Sequence, residues 1–232
     1  MSAPHYPLSG ITVIDLSHVY NGPYATFLMA MAGADVIKVE PPEGEHLRSR
    51  GDMGGAALPF AMLNSNKKSV TLNLKTEKGR DLLREMAART DILVENFAPG
   101  VTDRLGIGPY DLQKINPRLI YDSSSGYGKT GPYRDYPAMD LVMQAMCGVI
   151  NSTGFPDQPP VKSGAAICDF SAGIHLYAAI VTALYERERT GKGRVVEVSM
   201  QDATYASLAS NLGMAHARGA DAPARTGNRH GG

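Results

Sequence analysis

The sequence has no surplus of charge of either sign: 23 Lys and Arg balance 23 Asp and Glu over 232 residues. A protein that holds nucleic acid by neutralising phosphates needs a basic surplus, so a nucleic-acid partner is not expected. No continuous apolar run approaches the ~20 residues that span a bilayer, and no membrane partner is expected. Residues 1–10 have neither the basic patch nor the apolar stretch of a secretory leader. Cysteine is scarce. Cys147 and Cys168 lie far apart and form no CxxC pair, which argues against a zinc site and against a disulfide-stapled secreted domain. The expectation is a cytoplasmic globular protein without a metal.

Several phosphate and nucleophile motifs are also missing. The first strand–helix turn reads Ser17-His18-Val19-Tyr20-Asn21-Gly22-Pro23, with no GxGxxG. Gly128-Lys129-Thr130 has the look of a P-loop end. Ser123, however, stands where that motif needs glycine, and Gly131-Pro132 follows where a phosphate-binding helix should begin. There is no GxSxG elbow, no HExxH and no internal repeat.

What is present is an alternation of short β-rich runs and helical periods. Residues 11–16 and 35–39 read as strands around a helix at 23–32, which Pro23 opens and Gly33 ends. Further strands are expected at 69–74, 91–94, 119–121 and 194–199. Helices are expected at 76–88, 109–115, 137–150, 169–189 and 201–212. The Gly/Pro-rich stretch 41–59 reads as one long loop. This pattern predicts an α/β fold with a doubly wound, largely parallel, Rossmann-like sheet and flanking helices. The domain is expected over residues 1–216, with 217–232 as an aperiodic linker.

Two features carry chemical information. Between residues 48 and 80, Arg48, Arg50, Lys67, Lys68, Lys75, Lys78 and Arg80 face only Asp52 and Glu77. That local excess is either a solvated face or a site for a phosphate-bearing ligand. Lys75 and the Asn96-Phe97 pair follow expected strands, where open α/β sheets bind ligands, and Asn-Phe suits a nucleobase. The second feature is Asp169, placed after small residues at the start of the longest helix. It reads as an N-cap or as a nucleophilic or general-base carboxylate. Cys168 beside it reads as an inert core thiol.

Eight runs in order bear a family resemblance: His18-Val19-x-x-Gly22-Pro23; residues 33–40 (GADVIKVE); Asn66-Lys67-Lys68-Ser69; Val94-Glu95-Asn96-Phe97; Gly126-Tyr127-Gly128; Asp169; Thr190-Gly191-Lys192-Gly193; and Met200-Gln201-Asp202-Ala203. From Leu8 onward the chain resembles family III CoA-transferases, which share their fold with α-methylacyl-CoA racemases. The resemblance implies that Asp169 attacks an acyl-CoA thioester and that coenzyme A then passes to a carboxylic acid acceptor through aspartyl intermediates. Helix N-terminal amides would stabilise the oxyanion. Asp140 matches an acidic position close to the nucleophile. His18, Val19, Leu72, Lys75, Asn96, Phe97 and Arg104 match coenzyme A positions, and Tyr20 and Asn21 match positions near the thioester and acyl group.

Members of the family form interlocked homodimers, and they continue into a second small domain after the point where this sequence stops. Three readings stay open: a transferase, a racemase-like enzyme, and a non-catalytic CoA-binding partner subunit. In racemases of the family a histidine directly precedes the aspartate of a Gly-His-Asp run. Here that run is Ala138-Met139-Asp140, and Met139 cannot carry a proton.

Overall fold

The computed structural model describes residues 5–49, 57–219 and 224–229. Arg50 and Asp52 of the basic stretch lie outside them. Six parallel strands form one sheet: β1 (Thr12–Asp15), β2 (Asp35–Glu40), β3 (Lys68–Thr71), β4 (Ile92–Glu95), β5 (Ile120–Ser125) and β6 (Val195–Ser199). Their order is β3-β2-β1-β4-β5-β6. Every neighbouring pair is parallel, with Ile14 opposite both Ile37 and Leu93. This is the doubly wound order, which reverses direction between β1 and β4.

Alternation along the strands builds a core on each face. Val13, Val36, Ile92, Val94 and Ile120 pack on one side against Met29 of α1 (Asn21–Met31) and Leu176 and Ile180 of α8 (Ile167–Thr190). Ile14, Leu16, Val39, Leu93 and Tyr121 pack on the other against Leu83 of α3 (Glu77–Ala87) and Leu112 of α5 (Pro109–Ile115). Helix α8 runs so close to α1 that a Cβ on Gly173 would lie 2.7 Å from the Asn21 carbonyl oxygen. Only glycine permits that approach.

By length and composition α8 would pass for a membrane span. Its buried residues instead cover the sheet, and its buried Arg187 pairs with Asp91 at 2.9 Å. Such a pair, inside a layered α/β core, identifies a core helix.

Several element bounds differ from the sequence expectation. The stretch read as a loop contains a 3-10 turn at His46–Arg48, and α2 (Leu58–Asn64) begins before its end. The short helix α4 (Val101–Arg104) has no counterpart in the sequence pattern. The helix expected at 137–150 is two: α6 (Asp140–Met146) and α7 (Val149–Ser152), separated by Gly148 at φ 91°. The last expected helix is also two, α9 (Met200–Ser207) and α10 (Ala209–Ala217). Helix α8 starts two residues before Asp169, with Ala166 at the N-cap. Asp169 therefore sits inside the first turn, and the N-cap reading does not hold.

Candidate functional site

The C-terminal ends of the strands converge on three adjoining cavities at the β1/β4 switch. The largest, about 570 Å³, has apolar walls that include Leu16, Leu72, Phe97 and Leu105, with Lys75 and Arg104 among its lining cations. A cavity of about 130 Å³ joins His18, Val19, Asn21 and Asn96 to Asp169. A third, about 260 Å³, is lined by Tyr20, Asp140, Lys162, Ala165 and Asp169 among others. His18 lines the first two, and Asp169 lines the last two. His18 therefore borders both the large cavity and the one that reaches the aspartate.

The β1–α1 loop is the wall between these spaces, and it is held from below and from the sides. Asp15, fully buried at the end of β1, receives Lys67 Nζ at 2.9 Å, with Lys38 Nζ 3.9 Å away. Burial alone would raise its pKa. The two ammonium groups, with hydrogen bonds from Ser17 and Thr26, hold it instead well below the usual carboxylate range. Lys67 also reaches the Pro23 carbonyl, Thr26 Oγ1 and Asn64 Oδ1, and Lys38 donates to the Ser17 carbonyl at 2.9 Å.

Lys67 is thus an interior counter-ion and not part of a ligand-facing basic surface, one of the two readings of the local charge excess. Lys68 and Arg48 are engaged with Asp35 and Glu40. The chain then turns so tightly that a Cβ on Gly22 would fall 2.3 Å from Ser17 Cβ.

Val19 has φ 65°, a left-handed conformation costly for a β-branched residue. Its N–H is held by Glu45 Oε1 at 3.2 Å. Asn96 clamps the same loop: Oδ1 accepts from His18 N at 2.8 Å, and Nδ2 donates to the His18 carbonyl and to Asn21 Oδ1. Both Asn96 amide hydrogens are spent within the loop, so they are not free for the nucleobase contact expected of them. Phe97 meets the His18 ring edge-on at 5.1 Å. Burial and Lys38 lower the His18 pKa, so the imidazole is neutral near pH 7.

Asp169 is 7% exposed. Among the described residues its carboxylate has no hydrogen-bond partner, and burial followed by the charge of Asp140 pushes its pKa up to about 7. Asp140, from α6, caps α8: its Oδ1 accepts from the N–H groups of Cys168 at 2.9 Å and Asp169 at 3.1 Å. The Ile167 and Phe170 N–H groups donate to the Ala165 and Ala166 carbonyls. The first-turn amides expected to stabilise an oxyanion are therefore already engaged.

Gln144, one turn after Asp140, donates to Asp140 Oδ2 at 2.6 Å and accepts from Ser163 N at 2.8 Å. Its i,i+4 spacing from Asp140 was the available sequence signal. Glu45 had none, lying within the apparent loop. Tyr20 stacks on Phe170 with centroids 5.9 Å apart. Cys168 is fully buried with its thiol pushed up by burial, in keeping with a core role.

Comparison with known proteins places this geometry among relatives. Residues 8–232 match the family model described as CoA-transferase family III. An acetyl-CoA:oxalate CoA-transferase of Acetobacter aceti is 49% identical over 98% of this chain and 59% of its own length. A formyl-CoA:oxalate CoA-transferase of Streptomyces avermitilis is 49% identical over 84% of this chain and 48% of its own length. The crystal structure of a CAIB/BAIF family protein from Brucella suis superposes with TM-score 0.92 at 39% identity, over 98% of this chain and 61% of that one. The chain thus spans about half to three-fifths of the length of these relatives.

Proposed function

The chain belongs to CoA-transferase family III, and from that premise we propose that it carries the acyl-CoA site of an enzyme that moves coenzyme A from an acyl-CoA thioester to a small carboxylic acid, with Asp169 as the covalent nucleophile. The observation that carries this reading is the Asp169 carboxylate itself: buried, without a hydrogen-bond partner among the described residues, and lining two cavities. A solvated carboxylate is a weak nucleophile. One held out of water beside a second carboxylate is more basic and more reactive.

In this reading the large cavity takes the nucleotide end of coenzyme A, with Lys75 and Arg104 toward its phosphates and Leu72 and Phe97 against its adenine. The thioester reaches Asp169 past His18 and Val19, with Asn21 and Tyr20 beside the acyl group. Asp169 attacks the thioester carbonyl, the C–S bond breaks, and coenzyme A leaves as thiolate, giving an acyl–aspartyl anhydride. The thiolate attacks the aspartyl carbonyl and expels the donor acid as carboxylate. The acceptor carboxylate attacks the resulting aspartyl thioester and frees the thiolate again. Attack of that thiolate on the acceptor carbonyl of the second anhydride yields the new acyl-CoA and restores Asp169. Each step exchanges one carboxylate or thiolate for another, so no net proton transfer is required. Asp140 tunes Asp169 through its charge and fixes it by capping its helix. The relatives' names point to acetyl-CoA or formyl-CoA as donor and oxalate as acceptor of the coenzyme A.

Met139 lines the cavities at the position where a racemase would need a proton carrier, which favours transfer over racemisation. The direct test is trapping. The protein mixed with acetyl-CoA and then hydroxylamine should convert Asp169 to a hydroxamate, read by peptide mass, and Asp169→Asn should give none. Release of coenzyme A without modification of Asp169 would overturn the assignment.

A further inference from the structure

The cavity of about 260 Å³ beside Asp169 presents a charge problem to any carboxylate acceptor. Asp140 and Asp169 both line it, and an incoming anion is repelled by each. Helix α8 offers little relief. Its first N–H groups donate to the Ala165 carbonyl, to Asp140 and to the Ala166 carbonyl.

The segment just before the helix is different. Lys162 is the one cation among the described residues lining this cavity. Its ammonium is exposed, and its protein contact is the Ser163 carbonyl at 3.3 Å. The N–H groups of Gly164, Ala165 and Ala166 donate to no acceptor among the described residues. Three small side chains leave this backbone uncovered.

The segment is also held in place. Gln144, 1% exposed, accepts from Ser163 N at 2.8 Å and donates to the Ala165 carbonyl at 3.3 Å. A cation and unspent amides on a braced segment form a preorganised anion receptor. The unpartnered, nine-tenths-buried Asp169 carboxylate lines the same cavity.

We propose that Lys162 and the amides of residues 164–166 bind the second carboxylate of a short dicarboxylate acceptor, whose first carboxylate reacts at Asp169. The assignment rests on Asp169 being the nucleophile. It makes Lys162 the residue that separates dicarboxylate from monocarboxylate acceptors. A monocarboxylate brings one charge, which must lie at the reacting carbon. A dicarboxylate leaves a second charge that the two acids would repel unless Lys162 meets it.

The test is a titration of oxalate and of acetate into the protein saturated with coenzyme A, followed by calorimetry or carbon-13 NMR. Lys162→Met should weaken oxalate about tenfold or more, the usual worth of one charge-assisted hydrogen bond, while acetate shifts less than about twofold. Lys162→Arg should keep most of the oxalate affinity, and coenzyme A affinity should be unchanged in both variants. Oxalate binding that is absent in the wild type, insensitive to Lys162→Met, or lost in step with acetate would overturn the proposal. Hydroxamate trapping of the same variants after addition of acetyl-CoA separates the two readings. Unmodified Asp169 with an intact, Lys162-dependent oxalate preference refutes the nucleophile, whereas normal trapping without that preference refutes the receptor.

Discussion

Replacing Asp169 by asparagine should make the protein more stable at alkaline pH, and the gain should grow with pH in a defined way. Burial and the neighbouring Asp140 raise the Asp169 pKa from 3.8 to about 7. The folded state therefore binds that proton more tightly than the unfolded chain. The penalty for ionising Asp169 is absent below about pH 4, develops as pH rises, and is complete above about pH 7. A pKa raised by about three corresponds to about 4 kcal/mol at full development, since each tenfold change in proton affinity is worth about 1.4 kcal/mol. By about pH 5 the unfolded carboxyl is already ionised, and less than half of the penalty has accrued. The greater part, roughly 3 kcal/mol, should appear by about pH 8.5.

The asparagine amide has no acceptor waiting for it, which costs about 1–3 kcal/mol at all pH values. The informative quantity is therefore the change in stability difference between the two pH values, not its value at either. Urea denaturation of wild type and Asp169→Asn at pH 5 and 8.5 measures it. A stability difference that does not move with pH, or that moves against the variant as pH rises, would show that Asp169 ionises freely. It would also remove the physical basis for the proposal that Asp169 is the nucleophile.

Two further outcomes follow from the charge distribution. Lys67→Met should destabilise the protein by about 3–5 kcal/mol, because it strands the Asp15 carboxylate in the core. Asp15 titrates below the usual carboxylate range when folded, so the stability its ionisation contributes is present above about pH 4 and is lost as pH falls. The deficit of the variant should therefore shrink in acid, and a pH-independent loss in thermal melts would count against the pairing. Lys75→Ala and Arg104→Ala should each weaken coenzyme A about tenfold with a reduced salt dependence, measured by calorimetry. Unchanged affinity in both would place the nucleotide elsewhere.

The sheet was legible because parallel strands buried on both faces appear as compact Val/Ile runs, such as residues 11–16 and 35–39, separated by helical periods. The helix breaks were not. Gly148 and Leu208 interrupt apolar patterns that continue across them, and periodicity alone joins α6 to α7 and α9 to α10. The start of α8 was misplaced because its helical cap comes from another element. Asp140 reaches across from α6 to satisfy the first-turn amides. A search for a capping residue next to the helix settles naturally on Asp169.

The basic stretch shows why a count of charges cannot locate a binding surface. Lys67 and Lys68 are adjacent, yet at the start of β3 one side chain enters the core to meet Asp15 and the other leaves it to meet Asp35. Neighbouring residues in an extended segment point to opposite faces, so a run of like charge is divided by the pleat before any ligand is considered.

The same separation in sequence hides the strained loop. Val19 adopts its left-handed conformation because Glu45 holds its amide and Asn96 clamps the residue before it. Neither partner is local, and a strained residue of this kind costs about 1–3 kcal/mol that its surroundings must offset. The buried ion pairs of Asp15 brace the loop from beneath. The strain is thus sustained where the two cavities that Asp169 lines adjoin, the place to which the proposed reaction would bring a thioester carbonyl.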